Sequence, residues 1–251
     1  MNILALDTAT PLGGAALLLR GEPVEHVRFE AGEGHVAKLP EAVDGLLSKA
    51  GWSYEELGLI AVTVGPGSFA GVRVALGFAK GLALANNTPL VGVSTLMVVA
   101  AGAGIGSDVM RPDVVAVMDA RKGEVFSARY RFDETGFPSE YWPPGCWLPS
   151  SLASSLGPAR TLMTGDGLRA HEAVFKEHMG KRFKTAPEEN WAPHPMVLGV
   201  LGLRLFEARG ATPAEELEPV YLRVPEAERH KKAAQAQAAA SEAKSGDAPS
   251  Q

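Results

Sequence analysis

The stretch from residue 59 to 86 constrains this chain most, because an apolar run, a Gly-Pro-Gly loop and a long run of small residues follow one another. Leu59–Val64 is short, apolar and bounded by turn residues, which is typical of a buried strand. Residues 65–67 end the strand, since proline fixes its own φ and glycine allows positive φ. Ser68 is placed to cap a helix that runs to about Asn86. The loop either turns a corner of an α/β domain or holds an anion on free backbone amides.

Two rows of small residues run along this predicted helix at four-residue spacing. The first row is Gly71, Ala75, Ala79 and Ala83, and the second row is Gly77, Gly81 and Ala85. A glycine inside a helix costs about 0.5–1 kcal/mol relative to alanine, so these glycines need a reason. Small residues four apart let another backbone approach closely. That backbone belongs either to the chain's own sheet and helices or to a helix of another chain, and the spacing does not separate the two.

Composition and charge exclude several classes of protein. The net charge of −5 over 251 residues gives no broad attraction to nucleic acid or to an acidic membrane. Cys146 is the one cysteine, which excludes a disulfide framework and a cysteine-based zinc site. The six histidines include no His-x-x-His, His-x-x-x-His or His-Glu-x-x-His motif, and no Gly-x-Ser-x-Gly elbow occurs, so a peptidase is disfavoured. We expect a cytoplasmic protein, since no signal peptide or membrane-spanning run is found.

The order of apolar runs predicts two related lobes. Three runs between residues 3 and 29, separated by turn signals, predict an antiparallel β-meander. A strand at Val114–Met118 then precedes Asp119 much as the first strand precedes Asp7, which indicates an internal repeat. Residues 132–149 are interpreted as a loop with a short strand.

The predicted domains follow from this order. They are an N-terminal lobe over 1–106, completed by a helix at 195–208, a smaller lobe over 107–194, a helix and extended segment over 195–225, and a disordered tail over 226–251.

Polar residues after the predicted strands are the candidate cofactor-binding residues. They are Asp7, Thr8, Thr10, Asp119, Gly165, Asp166 and Gly167. Side chains at the carboxyl ends of strands lie where α/β proteins bind ligands. Asp7 with its two threonines resembles a corner that handles phosphate, but an Asx-turn explains Asp7 equally well.

Six motifs, in order along the chain, together resemble the TsaB (YeaZ) family. They are Ile3–Thr10, Gly34-His35 with Leu39-Pro40, Val64–Arg73, Asp119–Phe126, Thr164–Gly167 and Pro219–Arg223. The most specific of them is Gly-Pro-Gly-Ser-Phe-x-Gly-Val-Arg within Val64–Arg73. The motifs extend from residue 1 to about residue 224, and the tail beyond has no counterpart.

The resemblance implies a fold and a role. The fold is the two-lobed actin-like ATPase (sugar kinase and heat-shock chaperone) fold, each lobe a mixed sheet flanked by helices, with Asp7 in the phosphate-loop position. The role is that of a non-catalytic subunit that activates the paralogous TsaD for threonylcarbamoyl transfer to the adenosine next to the anticodon of tRNA. A TsaE-type ATPase joins the complex. The paralogue keeps a histidine pair on the helix that follows its Pro-Leu-Ile-Gly-Val strand, whereas the matching stretch here, Ser94–Gly102, has no histidine.

The resemblance also implies partners and an interface. A heterodimer with the TsaD homologue, or a homodimer without it, would form through the helices near 36–49 and 68–86. The predicted interface residues are His35, Leu39, Val43, Ser68, Phe69, Gly71, Val72, Ala75, Ala79 and Ala83. We expect no metal site or cofactor of the chain's own, ATP or ADP with Mg²⁺ at most at the interface in the complex, only indirect contact with tRNA, and no contact with a membrane. The alternative is an independent Mg-ATP-dependent hydrolase or kinase of the actin-like fold, with Asp7 and Asp119 near the phosphates and Gly165–Gly167 near the adenine.

Overall fold

Strands and helices alternate along the chain in an order that repeats once. The computed structural model describes residues 1–30, 35–104 and 113–223. The strands are β1 (Asn2–Asp7), β2 (Leu12–Leu19), β3 (Glu22–Glu30), β4 (Leu57–Thr63), β5 (Leu90–Val93), β6 (Asp113–Asp119), β7 (Val125–Phe132), β8 (Pro138–Trp147) and β9 (Thr161–Thr164). The helices are α1 (His35–Ala50), α2 (Phe69–Asn86), α3 (Thr95–Ala103), α4 (Pro149–Ser155), α5 (Gly167–Met179) and α6 (Pro195–Arg209).

Met1–Val220 and Tyr221–Gln251 form two separate units, and residues 221–223 are the described part of the second unit. The predicted disordered tail, 226–251, lies outside the described residues. The domain boundaries inferred from the sequence stay a prediction. In the part of the chain that the structure describes, no helix is long and apolar enough to cross a membrane.

The first sheet has the strand order β3-β2-β1-β4-β5. β1, β2 and β3 pair antiparallel, which confirms the predicted meander, and β4 pairs parallel to β1. The register places Asp7 opposite Gly14, and Gly14 opposite Arg28 on the other side. Because β1 and β4 are parallel, their carboxyl ends meet at one edge of the sheet, and this edge carries Asp7 and Thr63.

The second sheet repeats this arrangement. Its order is β8-β7-β6-β9, with β7 antiparallel and β9 parallel to β6, just as β2 and β4 flank β1. Asp119 ends β6 as Asp7 ends β1. The internal repeat is therefore confirmed, and so is the predicted fold of two mixed sheets flanked by helices.

The interpretation of residues 132–149 as a loop with a short strand is wrong. They contain the ten-residue strand β8, which pairs antiparallel with β7 at the edge of the second sheet. Pro143 and Pro144 lie inside β8. An edge strand tolerates proline because one of its sides needs no ladder hydrogen bonds.

Helices cover both faces of each sheet. α1 and α2 pack on one face of the first sheet, and α6 packs on the other face. α3 contacts both α6 and the second sheet, whose opposite face is covered by α4 and α5. α6 approaches the first sheet closely, because a Cβ on Gly199 would lie 2.2 Å from Leu18 Cδ1 and one on Gly202 would lie 2.4 Å from Ala61 Cβ.

Ser68 caps α2, as predicted. Its Oγ accepts a hydrogen bond from the Gly71 amide at 3.3 Å. We expect Ser68→Ala to lower the free energy of unfolding by about 1 kcal/mol, because the amide loses its acceptor. Urea denaturation measures the loss. Ser68→Asp keeps a capping oxygen and serves as the control, so equal losses in the two variants would contradict the capping role.

Candidate functional site

The carboxyl end of β1 carries a buried carboxyl group with one satisfied oxygen. Asp7 Oδ1 accepts hydrogen bonds from Thr63 Oγ1 at 2.6 Å and from the Ala9 amide at 3.1 Å. The bond to Ala9 is the Asx-turn that one alternative for Asp7 predicted. Asp7 Oδ2 is buried and has no hydrogen-bond partner among the described residues.

Burial dominates the electrostatics of this carboxyl group. It raises the pKa of Asp7 to about 6, while the hydrogen bonds from Thr63 and Ala9 and the charge of Arg28 act in the opposite direction. Burial also lowers the pKa of Arg28, and Asp7 partly offsets that effect. The Nε and Nη2 atoms of Arg28 are buried and donate no hydrogen bond within the described ranges. No direct hydrogen bond therefore joins Asp7 Oδ2 to Arg28 in the part of the chain that the structure describes.

The hydroxyls of the two neighbouring threonines, Thr8 and Thr10, make hydrogen bonds to backbone groups of this chain. Thr8 Oγ1 donates to the Gly71 carbonyl at 2.6 Å and accepts from the Ala75 amide at 3.1 Å. Thr10 Oγ1 donates to the Leu12 carbonyl at 2.9 Å. In a regular helix the Ala75 amide and the Gly71 carbonyl pair with each other. Thr8 therefore fastens the loop after β1 to the backbone of α2.

The other candidate cofactor-binding residues lie together at the carboxyl end of β6, in a cluster called here the second corner. The Asp119 amide donates to Asp166 Oδ1 at 3.1 Å, and Asp119 Oδ2 lies 3.1 Å from Arg121 Nη1. Burial raises the pKa of Asp166, while the hydrogen bond from the Asp119 amide and the charges of Arg121 and Arg169 act in the opposite direction. The structure brings Asp119 and Asp166 together at the edge that corresponds to the Asp7 edge of the first sheet.

The tight turn before α5 fixes this second corner. Gly165 has φ +118°, and a Cβ there would lie 2.1 Å from the Val117 carbonyl oxygen. A Cβ on Gly167 would lie 2.8 Å from the carbonyl carbon of Met118. Both glycines thus let the turn lie against the backbone of β6. Within 1–30, 35–104 and 113–223, no group of three His, Cys, Asp or Glu residues could hold a metal ion.

The first row of small residues on α2 faces the chain's own sheet. Gly71, Ala75, Ala79 and Ala83 are buried, the three alanines in the core between α1, α2 and the first sheet. The prediction that this row forms an interface with another chain is therefore wrong. The physical reason is close packing at the start of α2, where a Cβ on Gly71 would lie 2.0 Å from the Thr8 carbonyl oxygen.

Some of the other predicted interface residues are buried and some are exposed. Leu39 and Val43 of α1 and Val72 of α2 are buried, so their side chains are not available for contact with a partner. Ser68 and Phe69 are exposed and stay predicted contact residues. His35 begins α1, and its side chain lies outside the described residues.

The second row of small residues forms the outer face of α2. Gly77, Gly81 and Ala85 are exposed, and a Cβ on either glycine would meet nothing within 4 Å. Leu84 beside them is 68% exposed, and Phe69 at the start of the helix is 52% exposed. Leu84 was missed from the sequence, although the spacing of this second row pointed to its face of the helix.

Comparison with known proteins connects these features to a family. Residues 29–138 match the family model described as "TsaD: tRNA N6-adenosine threonylcarbamoyltransferase". A relative from Bacillus subtilis, named tRNA threonylcarbamoyladenosine biosynthesis protein TsaB, is 30% identical over 234 residues, which span 91% of this chain and 96% of the relative. This chain belongs to the TsaB family.

Other members of the TsaB family agree in sequence and structure. The Escherichia coli TsaB protein is 42% identical over 136 residues, covering 54% of this chain and 58% of that protein. The structure of YeaZ from Pseudomonas aeruginosa superposes with a TM-score of 0.77 at 29% identity, over 88% of this chain and 99% of YeaZ. The match therefore extends over nearly the whole length of YeaZ. Members of this family have a role in tRNA threonylcarbamoyladenosine biosynthesis, as their names state.

Proposed function

We propose that this chain is a non-catalytic subunit that binds and activates its TsaD homologue for threonylcarbamoyl transfer to the adenosine next to the anticodon of tRNA. A TsaE-type ATPase joins this complex. Membership of the TsaB family supports the pathway, and the outer face of α2 is the observation that carries the proposal of a subunit.

The outer face of α2 has the composition of a contact surface. Beside the charged residues Arg73 and Lys80, α2 leaves Leu84 and a row of small residues in solvent. Gly77 and Gly81 lower the helix propensity of α2, and a Cβ on either glycine would meet no atom of the described residues within 4 Å. A helix of a partner could approach this face closely, which would give the two glycines a use.

The helix that follows β5 supports a non-catalytic role. The resemblance implies that the catalytic paralogue carries a histidine pair on this helix. Here α3 is built from apolar and small residues, and Val98 and Val99 are fully buried. These side chains pack in the interior instead of presenting ligands to a metal ion.

The proposal includes the remaining expectations for the complex. We propose no cofactor of the chain's own, with ATP or ADP and Mg²⁺ bound at most at the interface within the complex. The net charge of −5 supports an indirect contact with tRNA, made through the partner. In the absence of TsaD the same face of α2 would form a homodimer, and the complex would act in the cytoplasm.

The test combines association with transfer. The purified chain and its TsaD homologue are mixed and separated by size-exclusion chromatography with light scattering, and threonylcarbamoyl transfer to tRNA is then measured. We expect a heterodimer that is required for transfer, with this chain inert alone. Lack of association, together with Mg-dependent ATP turnover by this chain alone, would overturn the proposal in favour of the independent nucleotide enzyme.

A substitution on the outer face tests where the partner binds. We expect Gly81→Arg to weaken the heterodimer by roughly tenfold or more, because a long charged side chain prevents close approach of the partner helix. Folding should be unaffected, since a Cβ on Gly81 meets nothing within 4 Å. Ala173→Arg, on the exposed side of α5, is the control. Wild-type affinity in a folded Gly81→Arg variant would move the interface elsewhere.

A further inference from the structure

A groove continues the outer face of α2 at the C-terminal end of this helix. It has a volume of about 330 Å³ and lies between the last turn of α2 and residues 211–215, which follow α6. Leu84 is 68% exposed and belongs both to the outer face and to the groove. The Thr212 amide donates to the Leu90 carbonyl at 2.8 Å, which fixes residues 211–215 to β5.

The groove combines apolar walls with negative charge. Pro89 and Pro213 line it together with Leu84, and Glu215 contributes a carboxylate. Residues 83–86, the last turn of α2, include no basic residue, so the partial negative charge at this helix end is not offset from within the helix. A long cationic side chain fits both features, because its stem can lie on the apolar walls while its charge meets Glu215 and the helix end.

Arg73 places such a cation on the outer face of α2. It precedes Gly77, Gly81 and Ala85 at the same four-residue spacing, and all four residues are exposed. The Arg73 guanidinium carbon lies 3.7 Å from the centre of the Phe69 ring. A guanidinium stacked on an aromatic ring still presents N–H groups at its edge for a carboxylate.

The spacing of this row matches Arg73 to the groove of a second copy of this chain. Two copies related by a twofold axis can pack α2 antiparallel, with Gly77 of one copy opposite Gly81 of the other, where the bare backbone permits close approach. Arg73 then lies opposite Ala85 of the second copy, because each is one helical turn outside a glycine. A helical side chain leans towards the N-terminus of its own helix, which is towards the C-terminal end of an antiparallel neighbour. Arg73 therefore points to the end of α2 at which the groove lies.

We propose that two copies of this chain pair α2 antiparallel, and that Arg73 of each copy enters the groove of the other and binds Glu215 there. The inference rests on the proposed role of the outer face of α2 as a contact surface, and it assigns the ion pair that holds the homodimer. Among the described residues Glu215 forms no ion pair, whereas the nearby Glu218 pairs with Lys80 at 3.7 Å. The twofold axis makes the Arg73–Glu215 pair occur twice in each dimer.

The test is a charge reversal on each side of this pair, with dimerisation of the full chain measured by sedimentation equilibrium. We expect Arg73→Glu and Glu215→Arg each to weaken the homodimer by roughly tenfold, because each reversal acts on two ion pairs. Both positions are exposed, so folding should be unaffected, and circular dichroism checks this. A labelled Arg73→Glu chain titrated with Glu215→Arg should bind with wild-type affinity, since opposite charges then face each other at both ends of the interface.

Glu216→Arg is the matched control, because Glu216 is exposed next to Glu215 but does not line the groove. It should dimerise like the wild type, and it should bind the labelled Arg73→Glu chain more weakly than Glu215→Arg does, although the net charges of the two mixtures are equal. The proposal is overturned if the wild-type chain is monomeric, if either reversal leaves the dimer unchanged, or if Glu215→Arg binds the labelled chain no better than Glu216→Arg. None of these results involves the TsaD homologue, so the heterodimer is decided separately by its own association test.

Discussion

Gly71→Ala should destabilise the chain by about 2–4 kcal/mol. The new methyl group would collide with the main chain of the loop after β1, and this loop is hydrogen-bonded to α2. A Cβ at this position would lie 2.0 Å from the Thr8 carbonyl oxygen. Relief requires α2 to move away from the loop after β1, which breaks the two hydrogen bonds of the Thr8 hydroxyl to Gly71 and Ala75. Urea denaturation monitored by circular dichroism measures the loss.

Gly77→Ala is the matched control in the same helix. Its Cβ would meet nothing within 4 Å, so only the helix propensity changes. We expect a gain of about 0.5–1 kcal/mol from the higher helix propensity of alanine. The same substitution two turns apart should thus change the free energy of unfolding in opposite directions. A Gly71→Ala variant as stable as the wild type would mean that α2 does not lie against Thr8 in this way.

Asp7→Asn should stabilise the chain at pH 8 by about 2–3 kcal/mol, and this gain should fall to roughly 0.5 kcal/mol by pH 4. The pKa of Asp7 rises from 3.8 in the unfolded chain to about 6 in the folded protein. Between these values the folded state binds more protons than the unfolded state, so the stability of the wild type falls as the pH rises through 6. Asparagine keeps an oxygen for Thr63 and Ala9 without a charge, and it removes this pH dependence.

Chemical denaturation of both proteins between pH 4 and pH 8 measures this difference. At pH 4 only a small difference should remain, since Asp7 is protonated in the folded wild type and is still partly protonated in the unfolded chain, where its pKa is 3.8. A constant difference between the two proteins over the whole range would show that asparagine acts through packing and that Asp7 does not titrate near pH 6.

Local patterns in the sequence predicted the first sheet well. The apolar runs between residues 3 and 29 have turn residues between them, and the resulting meander depends on neighbours in sequence alone. The strand β8 was missed because Pro143 and Pro144 resemble a loop when read locally. The internal repeat carried the missing information: β6 and β7 correspond to β1 and β2, so a third strand corresponding to β3 was due.

The candidate site was harder to predict because it depends on contacts between distant residues. The spacing on α2 revealed both rows of small residues, but only the packing shows that the row containing Ala75 faces inwards and the row containing Gly81 faces outwards. Arg28 gave no signal as a neighbour of Asp7. Their proximity results from the register of β3 on β2 and from the bare backbone of Gly14, neither of which can be derived from local sequence.

The position of α6 has a consequence for synthesis of the chain on the ribosome. The strands of the first sheet are complete by Val93, but the helix that covers one of their faces begins only at Pro195. The strands of the second sheet and the helices α4 and α5, by contrast, all lie between residues 113 and 179. The lobe that is translated first therefore exposes the apolar face around Ile3, Ala16 and Leu18 until α6 emerges. The N-terminal lobe is therefore synthesised first but is the last to have its apolar face covered.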